Sequence, residues 1–189
     1  MKRLVSLAIL ALALPAAPAL AQDSATGTVG IDGRVTPVCI LGDPDPALVD
    51  LGQISESSGP RTCKIRTISP QVVRLPASFC NFAGSVVRVS TTALTSSDTT
   101  APQPGFSRAV NYTATATNWA AGSSAATSAA LRDGTSPTAS GLGSTQPLPR
   151  IADITVTLTN FTTPGDLILV AGNYSGTVVV TLGPAAVPD

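Results

Sequence analysis

The chain contains no histidine. That removes the Ser-His and Cys-His pairs of nucleophilic enzymes and the imidazole ligands of most zinc centres. Charge is scarce: 12% of the 189 residues are charged, with 11 bases against 11 acids. Such a balance argues against nucleic acid or an anionic membrane surface as partner. Aromatics make up 4%, with a single Trp and a single Met. Few segments place apolar residues at the i, i+3, i+4 spacing of a surface helix. The longest apolar run, residues 4–14, falls well short of the ~20 residues that span a bilayer. The three cysteines, Cys39, Cys63 and Cys80, lack CxxC spacing and an obvious fourth ligand, so a zinc site is not expected. No cofactor or other metal is expected either.

The same apolar run carries the strongest targeting signal. Lys2 and Arg3 precede it, Pro15 and Pro18 break it, and Ala19-Leu20-Ala21 stands before Gln22. A basic start, a short apolar core and small residues before a cut describe a secretory signal over residues 1–21, cleaved after Ala21. A retained membrane anchor is the alternative. Loss of Lys2 and Arg3 leaves a weakly acidic chain, long enough for one domain with a real core. An exported chain meets oxidising conditions, so a disulfide is expected, with one thiol left over. Cys39–Cys80 is our choice, because both lie in or after strand-like segments. Cys63, in the polar setting Pro60-Arg61-Thr62-Cys63-Lys64, is then free; Cys63–Cys80 and Cys39–Cys63 stay open.

What the chain has in quantity is Thr, Ser, Ala, Val and Gly, in runs cut by Gly, Pro, Asn and Asp. That reads as all-β. Strands are expected over residues 36–41, 49–54, 63–68, 71–75, 85–94, 108–119, 151–161 and 174–182, with 167–170 a short apolar run. Within 108–119, Val110, Tyr112, Ala114 and Ala116 share one face, and Thr113, Thr115, Thr117 and Trp119 the other. In 174–182, Tyr174, Gly176, Val178, Val180 and Leu182 oppose Thr177, Val179 and Thr181. Residues 120–149 have the composition of a mobile connection, or of short edge strands with loops. So long a structureless loop is uncommon in a compact domain, so some strand is expected near 126–132. Strands at this spacing suit a β-sandwich. The acids Asp98, Asp133, Asp153 and Asp166 fall singly on turns, as do Asp43 and Asp45 before prolines. Asp133 and Asp153 would have to meet in space to act as a carboxylate pair. No pair of catalytic groups can be named from the sequence, and an enzyme is not expected.

Residues 25–35, Ala-Thr-Gly-Thr-Val-Gly-Ile-Asp-Gly-Arg-Val, alternate cleanly. Ala25, Gly27, Val29, Ile31, Gly33 and Val35 form a small or apolar face. A strand at the mature N-terminus needs a sheet to join. This extension before Cys39, the segment Val49-Asp50-Leu51-Gly52-Gln53-Ile54, and the closing run from Val170 to Leu182 together resemble a chaperone–usher fimbrial subunit or a spore coat protein U-like secreted domain. Cys63, the residues after Leu182 and the middle of the chain depart from that pattern.

The resemblance implies an immunoglobulin-like sandwich over residues 36–183 that lacks its final strand, with residues 184–189 as a tail. A periplasmic chaperone would fill the open groove, and an outer-membrane usher would direct assembly. The extension of another copy or related subunit, residues 22–35, would then replace the chaperone. Ala25, Gly27, Val29 and Ile31 would insert, and Tyr174, Val178 and Val180 or their neighbours would border the groove. The product would be a structural subunit of a surface fibre or coat, exported through the periplasm to the cell surface. The alternative is a self-complemented secreted adhesin or carbohydrate-binding module. Trp119 and Tyr112 would then be candidates to line a sugar site, against their plainer reading as core.

Overall fold

The computed structural model describes residues 26–185, and the expected signal segment, Ala25 and the last residues of the tail lie outside them. The chain divides into two units, Met1–Val35 and Thr36–Asp189. In the first, residues 26–35 pair with no strand among the described residues. Val29 is 83% and Ile31 92% exposed.

The second unit is all-β and sandwich-like, with one 3-10 turn at Pro164–Asp166. Its strands are β1 (Cys39–Ile40), β2 (Gln71–Cys80), β3 (Ser85–Thr91), β4 (Leu94–Ser96), β5 (Phe106–Ser107) and β6 (Ala109–Thr117). There follow β7 (Ser124–Thr127), β8 (Ala139–Leu142), β9 (Arg150–Thr162), β10 (Ile168–Leu169), β11 (Tyr174–Ser175) and β12 (Val178–Pro184). One sheet runs β1-β2-β9-β6-β4-β11, with β7 also on β6; the facing sheet is β12-β3-β8. Pairing within both is antiparallel. The short β5 and β10 form a separate parallel pair.

Period-2 alternation builds the interior. Val110, Tyr112, Ala114 and Ala116 of β6 are buried, as are Ile154 and Val156 of β9, while Thr113, Thr115 and Thr157 stay half-exposed. From the facing sheet, Val87 and Val89 complete the core. Trp119 departs from the expected alternation. Asn118 takes φ 71°, which turns the next side chain inward, and Trp119 is 3% exposed with its Nε1 donating to Ser85 Oγ at 3.2 Å.

Several expected boundaries move. Strand β2 does not stop at Leu75 but continues through a bulge at Pro76 and Ala77 to Cys80. Proline is tolerated at such an irregularity, and the freed Ala77 amide donates to Asp153 Oδ1 at 2.9 Å. Residues 49–54 and 63–68 form no strand; an isolated bridge joins Ser55 to Ile65. The run 85–94 ends at Thr91, and Leu94 starts β4 on the other sheet. The long expected strand 174–182 is two strands on different sheets. The chain crosses between them at Gly176, where an added Cβ would lie 2.7 Å from the Ala93 carbonyl oxygen. Residues 120–149 hold both β7 and β8. The expected disulfide Cys39–Cys80 is formed and Cys63 is free and exposed.

Candidate functional site

The two edges of the sandwich differ. On the β7/β8 side the sheets meet backbone to backbone. Ser124 Oγ receives the Val89 amide at 3.1 Å and donates to the Gly141 carbonyl at 2.7 Å. Gly141 lies so close to β7 that a Cβ there would fall 1.8 Å from the Ala125 carbonyl oxygen. That edge is sealed.

The opposite edge is open. β12 pairs with β3 on one side and with no strand on the other among the described residues. Beside it lies a groove of about 500 Å³, walled by β12 and by residues 41–51. Val178 and Val180 line one wall, and Leu41, Pro46 and Leu48 line the other. The floor is Leu75, Tyr112, Val156 and Phe161. Tyr112 and Phe161 stack with centroids 5.6 Å apart, and the Tyr112 hydroxyl donates to the Thr177 carbonyl at 3.2 Å. Burial pushes the Tyr112 hydroxyl pKa up, as expected for a phenol in an apolar floor.

The second wall is pinned at intervals. Gly42 packs on the Pro76 carbonyl and its amide donates to Ser78 Oγ at 3.0 Å. Asp45 and Arg74 exchange two backbone hydrogen bonds of 2.8 Å. Arg66 holds the far end through the Leu51 carbonyl at 3.1 Å and the Gln53 carbonyl. Between these pins Leu48 is 80% exposed on the rim.

The structure therefore gathers two of the named groove residues, Val178 and Val180, and not the third. Tyr174 lies on β11, packed with Ile65, Val110 and Leu169, and its hydroxyl donates to the Val170 carbonyl at 2.7 Å. Burial pushes its pKa up to about 12. Gly27, Val29 and Ile31, the residues expected to insert, are exposed, and Ala25 lies outside the described residues. Sequence reasoning missed the whole wall from Pro44 to Leu51. Val49 and Leu51 alternate and suggest a strand; in the structure they belong to an apolar rim instead, and Ile54 packs elsewhere, against Ile65 and its neighbours. Both candidates for a sugar site are buried, Trp119 in the core and Tyr112 in the groove floor. Asp133 and Asp153 each accept a nearby or cross-strand amide, from Thr135 at 2.9 Å and Ala77 at 2.9 Å.

A second concavity lies beside the 3-10 turn, lined by Arg61, Arg66, Asn160 and Asp166. There Arg61 and Lys64 grip Asp166 at 3.0 and 2.8 Å. Lys64 and then Arg61 hold its carboxyl below the usual carboxylate range. Cys63 stands between these two cations in sequence. Comparison of the chain with protein-family models, with curated proteins and with solved structures finds no match.

Proposed function

We propose that this protein is a structural subunit that polymerises by donating its N-terminal strand, residues 25–31, to the groove of another copy. The observation that carries the reading is the unpaired edge of β12 running along an apolar groove. Volume alone does not decide the occupant, because small-molecule clefts span roughly 300–1,000 Å³. The backbone does. An apolar small molecule would cover the side chains and leave the outward amides and carbonyls of β12 unpaired, which is costly once water is excluded. An extended peptide satisfies both at once, with ladder hydrogen bonds to the edge and alternate side chains into the groove. Residues 26–35 have the matching form. They alternate, they are free of strand pairing among the described residues, and they expose Val29 and Ile31.

Insertion is head to tail, so the contact does not close on itself and builds a filament. Before assembly the open groove is an aggregation hazard, and a periplasmic chaperone that supplies a temporary strand meets that need. Delivery through an outer-membrane usher to a surface fibre or coat follows from the same scheme.

Deleting residues 22–31 tests it. The shortened chain, with its signal kept, is exported as before and forms no polymer; detergent-resistant ladders from it would overturn the reading.

A further inference from the structure

The outer face of the larger sheet carries an apolar rank close to the root of the extension. Ile40 of β1 lies opposite Phe79 of β2, and Phe79 lies opposite Ile151 of β9. The three share the side of the sheet away from the buried Cys80 and Ser78. Ile151 is 76% and Ile40 51% exposed, unusual for a cross-strand row of large apolar side chains on a solvent face. The disulfide Cys39–Cys80 fixes the neighbouring rank, so the row is held in place.

We infer that Ile40, Phe79 and Ile151 form a second contact between successive copies, seated on the rim of the groove that the first copy's extension fills. The inference rests on the strand-donation reading. Its support is reach. The run from Ile31 to Cys39 spans at most about 28 Å when fully extended. A copy whose Ile31 sits in a neighbour's groove must therefore bring β1 within that distance of the groove's end. The rim it meets is itself apolar, with Leu48 80% and Val179 55% exposed. Three side chains are far too few for a stable interface, which takes about 1,200–2,000 Å². The contact forms because the donated strand tethers the two surfaces at high effective concentration.

The experiment uses the mature protein, Ile151→Glu, Ile40→Glu, and Leu131→Glu as an exposed apolar control outside the row. A synthetic peptide of residues 25–35 is titrated into each protein in a form lacking residues 22–31, whose groove no other copy fills, and the rate at which polymers of the full mature proteins dissociate on dilution is measured. We expect the peptide to bind all four proteins alike, which also reports that they are folded. Polymers of Ile151→Glu and Ile40→Glu should dissociate about tenfold faster, and those of Leu131→Glu at the unaltered rate. Equal dissociation of Ile151→Glu and unaltered polymers, with peptide binding intact, overturns the second contact alone. Failure of the peptide to bind the protein lacking residues 22–31 and otherwise unaltered overturns the groove reading and the second contact with it.

Discussion

Gly141 is where one missing methyl group holds the sandwich shut. Its backbone lies against the Ala125 carbonyl, with room for a hydrogen and nothing larger. Gly141→Ala should lower stability by about 2 kcal/mol, because β7 and β8 must part to admit the Cβ. Gly183→Ala is the control, since a Cβ there meets nothing within 4 Å. Thermal unfolding of the two variants distinguishes them, and an unchanged midpoint for Gly141→Ala would contradict the packing described. Tyr174 gives a pH signature at the same scale. Its hydroxyl, shielded by burial, titrates at about 12 instead of the ordinary 10.0. Above pH 10 the unfolded chain loses this proton while the folded one keeps it. Tyr174 therefore stabilises the fold fully below pH 10, and that contribution is lost as the pH rises towards 12. Tyr174→Phe should flatten the fall in stability over this window, as read by denaturant titrations at successive pH values. Tyr112, also raised, keeps part of the slope.

At the level of elements, β1 is the weakest link that matters. It is two residues long, paired to β2 at Cys39↔Cys80 and Ile40↔Phe79, and it leads straight into the groove wall at Leu41. The disulfide closes a separation of 41 residues, which in the chain-entropy model contributes about 4 kcal/mol. Replacing both cysteines by alanine should cost about that much in a denaturant titration. It should also weaken binding of the 25–35 peptide, because the wall loses its first anchor. Unchanged peptide affinity in a folded double variant would show that Gly42 and Asp45 suffice to hold the wall.

The alternating stretches were legible because each buries one face: β6 and β9 have their inward residues readable from the Val-x-Tyr-x-Ala and Ile-x-Val patterns alone. What was not legible depends on partners distant in sequence. Pro76 reads as a strand end, yet β2 passes it through a bulge that Asp153 satisfies from β9. The run 174–182 reads as one strand, and nothing local shows that Gly176 must slip past Ala93 and change sheets. The groove itself was half visible. Val178 and Val180 enter as groove residues only through the resemblance, since alternation puts them on one face with Tyr174 without saying which face borders a groove; residues 41–51 are held by Ser78, Arg74 and Arg66 rather than by a ladder, which no local pattern shows.

Among the described residues the sandwich unit has one sealed edge and one open edge, and under the proposed function this asymmetry bears on stability as well as on assembly. An apolar groove open to water forgoes burial that a fully stranded sandwich would gain, roughly 25 cal/mol for each Å² left uncovered. Any strand that fills it must stabilise the fold in proportion to its affinity, because it binds the folded state and has no site on the unfolded one. The chain lacking residues 22–31 isolates this effect, since it has no strand of its own to offer. Adding the 25–35 peptide at a hundred times its dissociation constant should raise the stability of that protein by about 2.7 kcal/mol, read as an increase in the melting temperature that grows with peptide concentration. Val180→Asp places an unpaired carboxylate on the groove wall, where burial by an incoming strand would strip its water. In that background the same peptide should give no increase. The two measurements separate a filled groove from a general effect of peptide on the protein. A rise in melting temperature that survives Val180→Asp would mean that the peptide binds elsewhere, and the open edge would then have no part in assembly. Loss of the rise places the missing strand on β12, where its backbone groups have no other partner among the described residues.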